Sequence, residues 1–101
     1  MKKSEIFAEI LSIVSFETDV TESEILSDNR HAEVVDARYM LVKSLYDYGF
    51  YPADIAKRIR KTPRLITHML SGFEERMSYA KQLGNCHERI RKSIGNKRFI
   101  S

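Results

Sequence analysis

Helical periodicity is the feature that most constrains the fold. Apolar residues recur at helical spacing along almost the whole 101-residue chain, and no stretch alternates apolar and polar residues as a strand does. With 43% hydrophobic residues, a chain of this length can bury one modest core. We therefore predict an all-α fold of five to seven helices around a long central helix. One domain is expected over residues 1–94, followed by a basic tail over residues 95–101.

Local signals set the ends of the first predicted helices. A helix is expected over residues 4–16. Thr21 with Glu24 three positions later has the spacing of a capping box and predicts a short helix after residue 21. The long central helix is expected over residues 31–48, with Gly49 as its C-terminal stop.

The ends of the later helices depend on two glycines. Gly72 either ends a helix over residues 62–71 or is tolerated within a longer one. Gly84 is expected to stop the apolar stripe that follows. Asn85 and Glu88 then have the spacing of a second capping box, which predicts a new helix start at that point.

Two short helices that begin at prolines are the most informative part of the chain. Pro52 opens the first, and Thr62 followed by a proline opens the second, with a three-residue turn between them. Ala56 is small where two such helices must cross closely. The pattern indicates a helix-turn-helix over residues 52–71. Its turn usually contains a glycine where Arg60 stands.

Positive charge is concentrated on the same motif. The net charge is −5 over residues 1–29, −1 over residues 30–54 and +9 over residues 55–101, although the whole chain carries only +3. Such blocks of positive charge attract phosphate backbones. Five cations lie within eight residues with no acid between them: Lys57, Arg58, Arg60, Lys61 and Arg64.

The outward positions of the second motif helix carry groups that can reach base edges in a DNA major groove. These predicted base-contacting residues are Thr62, Arg64, Thr67, His68 and Ser71. The predicted phosphate contacts are Lys57, Arg58, Arg60 and Lys61. The predicted partner is double-stranded DNA. Two alternatives remain: a solvated basic face, or a protein-interaction module whose acidic N-terminal third docks onto a basic partner or a second copy.

Motifs for other chemistry are missing from the sequence. It contains no glycine-rich phosphate loop and no nucleophile with a partner base. The single Cys86 excludes a disulfide within the chain and a cysteine-based zinc site, and the three histidines lack metal-ligand spacing. No apolar run approaches the roughly 20 residues of a membrane span. We predict a non-catalytic cytoplasmic protein without a cofactor or metal.

A family resemblance rests on the order of several segments. These are Glu24-Ile25-Leu26-Ser27, then Arg30, then Val34-Val35-Asp36-Ala37-Arg38, and finally Pro52-Ala53-Asp54-Ile55-Ala56. In this order, residues 6–76 resemble the C-terminal DNA-binding domain of the bacterial replication initiator DnaA. The resemblance implies a Trp-repressor-like fold and sequence-specific DNA binding in replication initiation or transcription control, with a nucleoid-associated location.

The resemblance also implies roles for two arginines. It places Arg30 in a minor groove and Arg38 close to the DNA backbone. The family's recognition helix begins with glycine-glycine-arginine-aspartate-histidine, whereas this chain has Arg60-Lys61-Thr62-Pro63-Arg64. Because the aspartate and histidine are missing, recognition of the initiator's own binding box is not expected.

Overall fold

The computed structural model describes residues 1–97, which contain seven helices and no strands. The prediction of an all-α fold with five to seven helices is confirmed for this part of the chain. The helices are α1 (Lys3–Thr18), α2 (Glu22–Ile25), α3 (Ala32–Tyr48), α4 (Pro52–Ile59), α5 (Pro63–Ser71), α6 (Phe73–Met77) and α7 (Lys81–Asn96). The end of the predicted tail, residues 98–101, lies outside the described residues.

Helix α3 is the centre of the core, as predicted, because all six other helices pack against it. Its apolar residues point to more than one side, so each neighbouring helix finds an apolar surface there. Met40, Leu41, Val42 and Leu45 are all at most 1% exposed. Burial of such side chains contributes about 1.5–3 kcal/mol each, and this term holds the short helices in place.

The predicted caps are present at three helix ends. The Thr21 hydroxyl accepts a hydrogen bond from the Glu24 amide at 3.1 Å and starts α2. Thr62 does the same for the Leu65 amide, also at 3.1 Å, and starts α5. Gly49 ends α3 with a φ of 127°, which L side chains rarely adopt. These caps depend on neighbours in the sequence, which is why they were predictable.

The predicted helix end at Gly84 is wrong, and so is the second capping box at Asn85. Helix α7 begins at Lys81 and runs without interruption through both positions. Cys86 and Ile90 of this helix are buried, and α7 packs along α1 and α3. Burial of this face outweighs the roughly 1 kcal/mol that a glycine costs inside a helix. Gly72, by contrast, does separate α5 from α6.

Replacing Gly84 by alanine is expected to stabilise the fold by about 0.5–1 kcal/mol, because glycine is the costlier residue in a helix. A Cβ at position 84 meets no atom within 4 Å. Urea denaturation of Gly84→Ala measures the gain. Gly49→Ala is the control and should lose stability, because of its positive φ. A Gly84→Ala variant no more stable than the wild type would contradict a continuous α7.

Candidate nucleic-acid interface

Helices α4 and α5 form a tight two-helix unit joined by a short turn. Their bounds agree with the predicted motif, and they pack against each other. Ile55 and Ile59 of α4 and Ile66 of α5 are at most 2% exposed. Ala56 is 1% exposed, in agreement with a small residue where two helices pack closely. The unit packs against α3 of the core and presents its other surface to solvent.

Arg60 ends α4 in the left-handed conformation, with φ 59° and ψ 46°. This is the position where glycine is usual, because a Cβ in that conformation costs about 1–2 kcal/mol. The Lys61 amide donates to the Ala56 carbonyl at 2.9 Å and closes the turn. The chain therefore keeps a cation at the tip of the turn at some cost in backbone energy.

One face of α5 is exposed and polar. All five predicted base-contacting residues are exposed there, while Ile66 and Met69 point into the core. The five exposed residues are Thr62, Arg64, Thr67, His68 and Ser71. The Thr62 hydroxyl oxygen is already used as the helix cap, so this residue acts first in starting α5. Within residues 1–97, Arg64 takes part in no ion pair.

The predicted phosphate-binding cations divide into two groups. Lys57 and Arg60 are exposed and have no ion-pair partner among the described residues. Arg58 and Lys61 are engaged within the fold. Lys61 pairs with Asp28 of the loop between α2 and α3, which is the loop that also carries Arg30.

Arg58 is held between an acid and two aromatic rings. Its Nε donates to Asp54 at 3.0 Å, and its guanidinium lies 5.5 Å from the Phe50 ring and 5.9 Å from the Phe7 ring. Partial burial acts to raise the pKa of Asp54, but Lys3 and Arg58 together outweigh it and hold that pKa below its ordinary value. Arg58 is therefore engaged within the fold, where it contacts Phe50 before α4 and Phe7 of α1, and it is not one of the proposed DNA contacts.

The resemblance places Arg38 close to the DNA backbone, but in the structure its guanidinium is turned into the fold. Its side chain is buried, at 7% exposure, and points at carbonyl groups of α2 and of the loop between α2 and α3. The Nε donates to Ile25 at 2.8 Å, and Nη2 lies 2.8–3.3 Å from three further carbonyl oxygens. These belong to Glu24, Ser27 and Asn29. Arg38 holds the loop in shape from beneath, with its Nε and Nη2 atoms engaged by these carbonyl oxygens.

The loop held by Arg38 lies next to α5. Arg30 is exposed there, and it lines a cleft of about 350 Å³ together with Lys61 and His68. Other residues of the cleft include Asp28 and the partly exposed Leu65. The structure therefore brings Arg30 to the same surface as the outward face of α5. Sequence reasoning missed Asp28 and Leu65, since an acid 33 residues from its partner leaves no local signal.

Part of the positive charge of residues 55–101 lies away from the α4–α5 unit. Helix α7 packs against the acidic α1, where Arg89 pairs with Glu17 at 3.0 Å and Lys97 with Glu9 at 2.9 Å. Helix α7 does not pack against α4 or α5. The net charge of +9 over residues 55–101 is therefore spread over more than one surface. The exposed cations on and beside the two-helix unit are Arg30, Lys57, Arg60 and Arg64.

Metal and membrane sites find no support in the residues described. No group of three histidine, cysteine, aspartate or glutamate side chains is arranged to hold a metal ion there. His87 is half-buried against the Phe73 ring, with centroids 4.8 Å apart, and burial lowers its pKa. No helix within residues 1–97 is long and apolar enough to cross a membrane.

Comparison with protein-family models, with curated proteins and with solved structures gave no match. The resemblance to the initiator's DNA-binding domain therefore stays a prediction. We therefore infer a function from the geometry and charge of the surface around α5.

Proposed function

We propose that this chain is a non-catalytic, sequence-specific double-stranded DNA-binding protein that places α5 in the major groove. This proposal is supported by one observation: the exposed polar face of α5 and the cations without an ion pair within residues 1–97 lie on one two-helix unit that packs against α3. Arg64, Thr67 and His68 would approach base edges, because guanidinium, hydroxyl and imidazole groups match their donor and acceptor patterns. Lys57 and Arg60 would hold phosphates.

Arg30 extends the proposed interface beyond the motif. It is exposed on a loop that Arg38 fixes from beneath, and it borders the same cleft as His68. A cation presented in this way can enter the minor groove next to the groove that α5 occupies, as the family resemblance implies. The proposed biology is replication initiation or transcription control, in the cytoplasm and on the nucleoid.

The salt dependence of binding to a random duplex tests the proposal. Three to five phosphate contacts would make the slope of log K against log salt about −3 to −5. Replacing Lys57 and Arg60 together by glutamine is expected to reduce that slope by about two units. The matched control replaces the exposed Lys81 and Lys92 of α7 and should leave the slope unchanged. No binding at low salt would refute DNA binding.

The alternative of a protein-interaction module is retained as an outcome of the same assay. Its acidic docking surface is smaller than the sequence implied, because Glu9, Glu17 and Asp28 already pair with cations of this chain. A chain that binds no duplex at any salt concentration and instead forms dimers would favour it.

A further inference from the structure

Asp28 is an acid placed among the cations of the proposed interface. Its side chain is 96% exposed, whereas that of its partner Lys61 is only 14% exposed. The Lys61 ammonium donates to Asp28 Oδ1, which ties the α2–α3 loop to the turn before α5. Because the Asp28 carboxylate is so exposed, it contributes charge to this surface and almost no packing.

The surroundings of Asp28 favour the ionised form of its carboxyl group. The hydrogen bond and the charge of Lys61 lower the pKa of Asp28 below its ordinary value. The charges of Arg38 and Arg30 act in the same direction. The cleft that these groups line is open to solvent along the flank of α5, beside Leu65 and His68. A negatively charged group from outside the chain would meet the same cations.

The position of this cleft matters for a helix that lies in a major groove. A sugar–phosphate strand borders the major groove on each side, so phosphates pass along the flanks of such a helix. The flank that carries Leu65 and His68 is the one that faces Lys61. The ammonium that holds the Asp28 carboxylate is therefore the one that a passing phosphate would bind.

We propose that Asp28 is an internal competitor of the DNA phosphate backbone for Lys61. In the free protein the carboxylate holds the ammonium, and a backbone phosphate displaces it when DNA binds. The proposal rests on the DNA binding proposed above. Its consequence is weaker binding to every sequence, which increases the share of the binding free energy that base contacts supply.

Replacing Asp28 by asparagine tests the competition directly. On a random duplex at about 0.1 M salt, Asp28→Asn is expected to bind roughly 3- to 10-fold more tightly, and its salt slope should steepen by about one unit. Asp28→Ser should behave in the same way. Glu88→Gln is the matched control, because it removes a carboxylate from an exposed ion pair with Arg91 on α7. It should change neither quantity.

A second background separates competition for Lys61 from a general effect of charge. In Lys61→Met, the gain from Asp28→Asn should fall well below the gain in the wild type. An equal gain in both backgrounds would overturn the proposal, and so would unchanged or weaker binding by Asp28→Asn. Inorganic phosphate should compete no better than chloride at equal ionic strength, and stronger competition would assign the cleft to free phosphate. Failure of every variant to bind duplex would instead refute the proposed function.

Discussion

Replacing Arg38 by methionine is expected to lower the free energy of unfolding by about 2–4 kcal/mol. The substitution preserves much of the apolar stem but removes the guanidinium that satisfies carbonyls at the end of α2 and in the α2–α3 loop. Hydrogen bonds to a charged group contribute about 1.5–3 kcal/mol, and buried acceptors left unpaired add their desolvation cost. Since small domains are stable by only about 5–15 kcal/mol, this is a large fraction of the total.

Urea or thermal denaturation measures the loss, and two variants frame it. Arg38→Lys keeps the charge but cannot direct donors at several carbonyls, so an intermediate loss is expected. Arg91→Met removes an exposed arginine that, within residues 1–97, pairs only with Glu88, and it should cost under about 1 kcal/mol. If Arg38→Met kept its full stability and lost only DNA affinity, Arg38 would be a phosphate contact after all.

Replacing Arg64 by alanine is expected to weaken binding to the preferred DNA sequence by about 1–3 kcal/mol, or roughly 5- to 150-fold. Arg64 lies in the first turn of α5, is exposed and has no ion-pair partner among residues 1–97. Its guanidinium can therefore form a bidentate contact with a guanine edge without first breaking a contact within the chain. Alanine is a good helix former, so α5 should remain intact.

The measurement requires a preferred sequence, which selection from a random duplex pool would supply. Anisotropy titrations of the selected and random duplexes at one salt concentration then give the specificity ratio. Arg64→Ala should lower this ratio, whereas the control Lys81→Ala on α7 should leave it unchanged. An equal loss on both duplexes would assign Arg64 to the DNA backbone. A loss on neither duplex would remove α5 from the interface.

Most of the helix predictions rested on signals that act within a few residues of a helix end. A threonine cap, a proline in the first turn and a glycine with positive φ act within a few residues, so Thr21, Thr62 and Gly49 could be assigned from the sequence. The exposed face of α5 was equally predictable, because a helical repeat decides which residues turn outward once the buried face is known. The departure from glycine at Arg60 was visible as well, and its left-handed backbone gives the reason.

Contacts between distant parts of the chain were not predictable. The sequence marks Gly84 as a helix end, but burial of α7 against α1 keeps the helix continuous. The family resemblance places Arg38 close to the DNA backbone, yet its guanidinium faces carbonyl groups 9 to 14 residues before it in the sequence. Lys61 and Asp28 are 33 residues apart in the sequence, and no spacing pattern predicts that they pair.

The sequence by itself determined an all-helical chain, the bounds of α4 and α5, and the outward face of α5, because helix formation and capping are local. Only the tertiary structure decided which cations are available to a ligand. Packing of α1 against α7 pairs Arg89 and Lys97 with acids. Carbonyl groups before α3 engage Arg38, and Asp28 of the α2–α3 loop holds Lys61 in the free protein. Charge acts through space rather than along the chain, so the count of cations in a segment overstates the charge that its surface presents.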